Sequence, residues 1–234
     1  MAASIGRDTQ SAIYRGGAIG RPPLVPASWT GLERAAERAM SAEAFAYVAG
    51  SSGSETTAAA NLEAFDAWRI VPRMLRDVSE RDLSIELFGN RYPSPLIAAP
   101  IGVLELVSRA ADLGIARAAS VLGIPYVASN QASIPLEETF AATSGSPHWF
   151  QLYWSSSDDL VASLISRAED AGAEAIVITL DTHMLGWRPR DLDLGYLPFA
   201  HGQGIAQYTS DPVFRRLLEE RSGASLPRAR TPIT

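Results

Sequence analysis

Apolar and polar positions alternate along this chain with two different periods, and the change from one to the other divides it. Thr30 to Glu33 has the T-x-x-E spacing of a helix-capping box, and Leu32, Ala35, Ala36 and Ala39 follow at helical period. Ser41 is placed to cap a second short helix ending near Gly50, and a third is expected from Ser54 to Phe65. Ile85 and Leu87 then alternate with polar residues ahead of Gly89-Asn90, the pattern of a hairpin. Beyond Pro95 short, largely apolar runs alternate with helical stretches. The runs are Leu96–Ala99, Tyr126–Ala128, His148–Tyr153 and Ala175–Leu180. Between them lie a helix with Ala111, Ile115, Ala118 and Leu122 on its expected inner face, a short helix carrying Glu137 and Glu138, and a helix capped by Ser157 with Val161, Leu164, Ile165 and Ala168 at i, i+3, i+4 and i+7. Apolar strands separated by helices predict a parallel sheet with buried faces.

Four domains of behaviour follow: a loose Gly-, Ser- and Pro-rich arm over 1–27, a helical segment with a hairpin over 28–94, a β/α region over 95–220 and a disordered tail over 221–234. Four β units fit before about residue 185 and no strand–helix unit is expected after them. A closed barrel of eight such units takes about 250 residues. Periodicity alone therefore predicts half a barrel or a small open α/β sheet.

Composition narrows the chemistry. With 26 acidic and 20 basic residues the net charge is −6, which argues against a nucleic-acid partner. No apolar run is long enough for a membrane span, and the first ten residues (MAASIGRDTQ) have no signal-peptide core, so a soluble cytoplasmic protein is expected. There are no cysteines, which excludes disulfides and thiolate chemistry. His148, His183 and His201 lack metal-ligand spacing, and no phosphate-loop or dinucleotide motif occurs. Adjacent Glu137 and Glu138 read as a solvated helix face rather than an acid–base pair. The strand ends instead carry neutral hydrogen-bonding groups: Pro100-Ile101-Gly102, Ser129-Asn130-Gln131, Gln151-Leu152-Tyr153 and Thr179-Leu180-Asp181-Thr182. Such a set suits a planar ligand with donors and acceptors on its edge, although Ser and Thr at these places also cap helices.

The stretches FAYVAGSSGSE, NLEAFDAWRIVPRMLRDVSERDLSIELFG, PLIAAPIG, WFQLYW and ITLDTHMLGWRPRD together resemble the FMN-dependent α-hydroxy-acid dehydrogenase/oxidase family, from about Leu32 to Leu218. The resemblance implies an FMN-binding (β/α)8 TIM barrel, here its helical prelude and about the first four β/α units. Within the family, RPRDLDLGYLPF and GIAQYTSDPVF look most like lactate 2-monooxygenase, which turns lactate and O2 into acetate, CO2 and water. It further implies that Pro100, Ile101, Gly102, Ser129, Gln151 and Thr179 contact the flavin. Tyr47, Tyr153 and Arg188 would hold the substrate carboxylate and hydroxyl. Asp181, with Tyr153, would belong to the catalytic group, the aspartate orienting a histidine base.

That histidine, which the family carries in a Ser-Asn-His-Gly-Gly-Arg-Gln motif, has no counterpart. His201-Gly202-Gln203 lacks the flanking residues and reads as a loop. The family's flavin-stabilising lysine and phosphate-binding loops are not found either. Where many relatives carry His-Pro, Gly102 is followed by VLELVSRAAD. The expectation is a 2-hydroxy-acid-oxidising family member with little activity on its own, as a homo-oligomer or beside a complementing C-terminal half. A peroxide-forming oxidase and a non-catalytic interaction protein are the alternatives.

Overall fold

The structure, a computed structural model, describes residues 5–182 and 184–222. The expected arm contains a helix, α1 (Ile5–Ala18), whose surface is almost wholly exposed. Its first turn holds Asp8 and its last Arg15, both favourable to the helix dipole. Apart from Gly6, the glycines and prolines that signal a loop lie at its end and after it. Helix α2 (Trp29–Ala39) starts two residues earlier than the capping box predicts: Ser28, not Thr30, is the cap, its Oγ accepting from the Gly31 N–H at 3.2 Å. Ser41 caps α3 (Ala42–Ala49) through the Ala44 N–H at 3.2 Å. Helix α4 (Thr56–Ala64) is shorter than expected because Glu55 precedes it in a left-handed conformation, φ +62°. The hairpin β1 (Ile85–Leu87) and β2 (Asn90–Tyr92) pairs Leu87 with Asn90. Phe88 and Gly89 both take positive φ in its turn, as a two-residue hairpin needs.

The β/α region is an open parallel sheet, β3 (Tyr126–Ala128), β4 (His148–Tyr153) and β5 (Ala175–Thr179), in that order. The run Leu96–Ala99 joins it by a single parallel bridge, Ala98 to Tyr126, with the Val127 N–H donating to the Ala98 carbonyl at 3.0 Å. Among the described residues no strand follows β5. Side chains alternate across these strands. Phe150 and Leu152 face α5 (Ala111–Leu122), α6 (Leu136–Ala141) and α7 (Asp158–Asp170) in the main core, with Leu136 and Leu164 fully buried. Val127, Trp149 and Val177 face the other way and meet Tyr92 of the hairpin. Gln151 and Tyr153 share that second face, further towards the strand ends.

Two expectations about burial are corrected. On α5 the buried face is Ala111, Asp112, Ala116 and Ala119, while Ala118 and Leu122 are exposed. Asp112 turns the helix: its Oδ2 accepts the Ser133 and Ile134 N–H groups at 2.8 and 3.0 Å, drawing a charged position inward. Strand β5, expected to be buried on both faces, is only half-buried and exposes Ile178; among the described residues no strand pairs with its outer edge. The chain after it forms α8 (Pro189–Asp193), a 3-10 turn (Pro198–His201), α9 (Ala206–Thr209) and α10 (Pro212–Ser222). Nearly all of the tail expected over 221–234 lies outside the described residues.

Burial has a consequence at the far end of β4. His148 is 5% exposed, its Nε2 is 2.7 Å from Thr143 Oγ1, and its ring stacks on Phe140 at 4.3 Å. Burial lowers its pKa below the ordinary 6.5, against the charge of Glu174. The unfolded ring therefore takes up a proton first. Stability is full above about pH 6.5 and falls as the pH drops below it. Urea midpoints at about pH 7.5 and 5.5 should separate more for the native chain than for His148→Gln; equal separations would show the ring titrates freely.

Candidate active site

Strand alternation places Gln151, Tyr153 and Thr179 on one face of the sheet at its C-terminal end, Tyr153 being in register with Thr179. A cavity of about 1330 Å³ opens there. All the candidate site residues line it: Tyr47, Pro100, Ile101, Gly102, Ser129, Gln151, Tyr153, Thr179, Asp181 and Arg188. They come from six separate segments of the chain.

The polar wall is a chain of directed bonds. Gln151, 2% exposed, accepts at Oε1 from the Asn130 N–H at 3.0 Å and from Ser129 Oγ at 3.3 Å. An amide N–H can only donate, so it fixes which end of the Gln151 amide is oxygen. Gln151 Nε2 then donates to Thr179 Oγ1 at 2.9 Å. Ser129 Oγ also accepts from the Gln131 N–H at 3.0 Å, and Asn130 Oδ1 accepts from the Tyr153 N–H at 2.8 Å. The serine and the Gln151 oxygen are thereby spent. One Gln151 N–H and the Thr179 hydroxyl hydrogen are left to point at a ligand, and two donors side by side suit the carbonyl edge of a planar heterocycle.

The loop after Leu96–Ala99 forms the next wall. A Cβ on Gly102 would lie 3.0 Å from Gln131 Cβ, so this glycine serves the close packing of two loops. Val103 follows in a left-handed conformation, φ +57°, rare for a β-branched residue; its N–H donates to the Gln131 carbonyl at 2.9 Å. A Cβ on Gly204 would lie 2.6 Å from Val103 Cγ2, which holds the chain beyond β5 against the same place.

On the opposite side Arg188 lies over Tyr47, its guanidinium carbon 5.1 Å from the ring centre, and Nη2 donates to the Tyr47 carbonyl. Burial raises the Tyr47 hydroxyl pKa, the arginine charge opposing it. Segments 50–55 and 186–190 clasp each other to make this pairing. The Gly53 N–H donates to the Trp187 carbonyl at 2.8 Å, and Arg190 pairs with Glu55 at 2.5 Å. Asp181 is exposed at the rim, where Thr182 Oγ1 donates to it at 3.3 Å. Neither His148 nor His201 lines the cavity; His201 stacks on Tyr196 at 5.1 Å.

Sequence reasoning missed Asp191, Tyr196 and Gln207. Gln207 is fully buried, accepting from the Leu136 N–H at 3.1 Å and donating to the carbonyls of Ile134 at 3.3 Å and Ser129 at 3.5 Å. It holds the Ser129 loop from below. Nothing local marks it, since its partners are over seventy residues away. Glu137 is not merely solvated: it forms a two-pronged pair with Arg167 at 2.7 and 3.0 Å.

Residues 36–226 match the family model described as FMN-dependent dehydrogenase. The chain belongs to this family. It is 41% identical over 215 residues to the FMN-dependent alpha-hydroxy acid dehydrogenase qulF of Penicillium citrinum, covering 92% of this chain and 54% of the relative. It is 41% identical over 197 residues to the L-lactate oxidase of Lysinibacillus sphaericus, covering 84% and 51%. A mandelate oxidase crystal structure superposes with a TM-score of 0.69 at 39% identity, covering 74% of this chain and 50% of that one. The chain thus spans about half the length of the curated relatives it matches. FMN is the cofactor of the family, and the wall described above fits a flavin. Gln151 and Thr179 line the cavity with a donor hydrogen each left over, and the buried Oε1 of Gln131, which also lines it, lacks a partner among the described residues. The open parallel sheet with helices is consistent with the family's barrel, and among the described residues no helix is long and apolar enough to cross a membrane.

Proposed function

We propose that this chain builds the flavin-edge and carboxylate sides of a site for FMN-dependent oxidation of a small L-2-hydroxy acid, lactate above others, with the outcome of lactate 2-monooxygenase. The observation that carries this reading is the meeting, in one cavity, of the Gln151–Thr179 donor wall with the Arg188–Tyr47 pair. Gln151 and Thr179 would hold the pyrimidine edge of FMN, with Ser129 and the backbone of Pro100 to Gly102 close to the ring. FMN, when bound, accepts the two electrons that leave the α-carbon.

The chain's own residues orient the acid. Arg188 offers a planar fork to a carboxylate, which two oxygens match better than a lysine would. Tyr47 and Tyr153 line the same cavity, and their hydroxyls would bond the acid. Asp181 would hold a protonated base rather than act as one. No described histidine stands beside it, and a general base contributes roughly 10²–10⁴-fold to rate. The chain by itself is therefore expected to turn lactate over at background rates.

Titrating FMN with the purified chain while following flavin fluorescence tests the reading. Saturable quenching is expected, weakened at least tenfold in Thr179→Val, which keeps the shape and removes a donor. No quenching at any concentration would reject the flavin assignment. Lactate-dependent oxygen uptake by the chain alone should stay at background, and robust turnover would overturn that part. Where turnover is obtained, acetate with CO2 supports the monooxygenase outcome; pyruvate with peroxide supports an oxidase.

A further inference from the structure

The partner of Arg188 has no role in the reading above. Asp191 is 8% exposed and lines the cavity, and its Oδ2 lies 2.5 Å from Arg188 Nε. Its other oxygen, Oδ1, is buried and has no hydrogen-bond partner among the described residues. A buried carboxylate with one oxygen left unpaired is a costly way to stabilise a fold. What it does instead is visible in the guanidinium. Nε is tied to Asp191, Nη2 gives one hydrogen to the Tyr47 carbonyl, and the Tyr47 ring supports the flat face. Of five N–H groups two are spent, both on one flank. Those that remain are the two on Nη1 and one on Nη2, the end-on edge that grips a carboxylate with two parallel bonds.

We propose that Asp191 is a positioning residue that turns this edge of Arg188 to the substrate carboxylate and thereby sets anion affinity. The inference rests on Arg188 being the carboxylate ligand. It has a sign that simple charge does not share. Asp191 brings a negative charge close to the place where an anion would sit, so by Coulomb's law alone its removal should tighten anion binding. If its work is to position the arginine, removal should loosen binding instead.

The probe is oxalate, titrated calorimetrically into the full chain with and without FMN. Asp191→Ala is expected to weaken oxalate binding about tenfold, and Asp191→Glu to recover part of the loss. FMN affinity and melting temperature should stay near native, which a merely structural role would not allow. If Asp191→Ala fails to fold, Asp191→Asn carries the same comparison, with a loss of threefold or more expected. Arg188→Lys separates the two levels. Native-like oxalate binding by Arg188→Lys, or no binding by the native chain, overturns the carboxylate reading and the proposal with it. Weak binding by Arg188→Lys together with native or tighter binding by both Asp191 variants overturns the proposal alone.

Discussion

Arg167→Leu is expected to lower the unfolding free energy by about 3–5 kcal/mol, the usual cost of removing one partner from a buried ion pair. Asp211 is fully buried, and its Oδ2 lies 3.1 Å from Arg167 Nη1 and 2.8 Å from Ser163 Oγ. Its Oδ1 caps α10 through the Val213 and Phe214 N–H groups at 2.8 and 3.1 Å. Arg167 also donates to the Gln207 carbonyl at 2.7 Å and to Ser210 Oγ at 2.8 Å. Burial by itself would lower the arginine's pKa, but Glu137 and Asp211 outweigh it and raise it. The substitution leaves a carboxylate in the core with only neutral donors, and frees the backbone that carries Gln207. A domain's whole stability is commonly about 5–15 kcal/mol, so the loss should be plain in urea unfolding. Arg167→Leu combined with Asp211→Asn should recover part of it, since the stranded charge is then gone. A loss below about 1 kcal/mol, the range of exposed ion pairs, would show that water reaches the pair.

Gln151→Leu should act on both stability and ligand. Leucine matches glutamine closely in size but leaves the Asn130 N–H buried without an acceptor, a cost of about 1–3 kcal/mol. It also removes the donor to Thr179 and the N–H aimed at the cavity. The dissociation constant for FMN should rise about tenfold or more, as each factor of ten is about 1.4 kcal/mol. Gln151→Glu separates the two roles. A carboxylate still accepts from Asn130 and Ser129, so stability should stay closer to native. It has no hydrogen to give, so FMN binding should remain weak. If Gln151→Glu bound FMN like the native chain, the donor wall would have no part in holding the ring.

The accuracy of sequence reasoning followed the range of the forces involved. Ser41 and Ser157 were recognisable as caps because each needs only an N–H three residues on. The inner face of α7 followed from Leu164 and Ala168 repeating at helical spacing. The capping-box pattern pointed to Thr30, but Ser28 holds the cap of α2. On α5 it erred by one position because the bonds that draw Asp112 inward come from Ser133 and Ile134, far along the chain.

The candidate site divides in the same way. Apolar runs ended by Gln151, Thr179 and Ser129, with Tyr47 and Arg188 in their motifs, were enough to name the residues and the family. The sequence by itself thus determined the strands and helices between α2 and β5, which side chains face one way along each strand, and the chemistry they carry, but not α1 or the helices beyond β5. Only the tertiary structure decided which hydrogen bond each group has already spent. It turned the Gln151 amide, tied Arg188 to Asp191 and Tyr47, slid Gln207 beneath Ser129, and put His148 and His201 away from the cavity. Periodicity and capping arise from neighbours within a turn or a strand repeat. These later choices depend on contacts between segments dozens of residues apart, whose geometry exists only once the chain has packed.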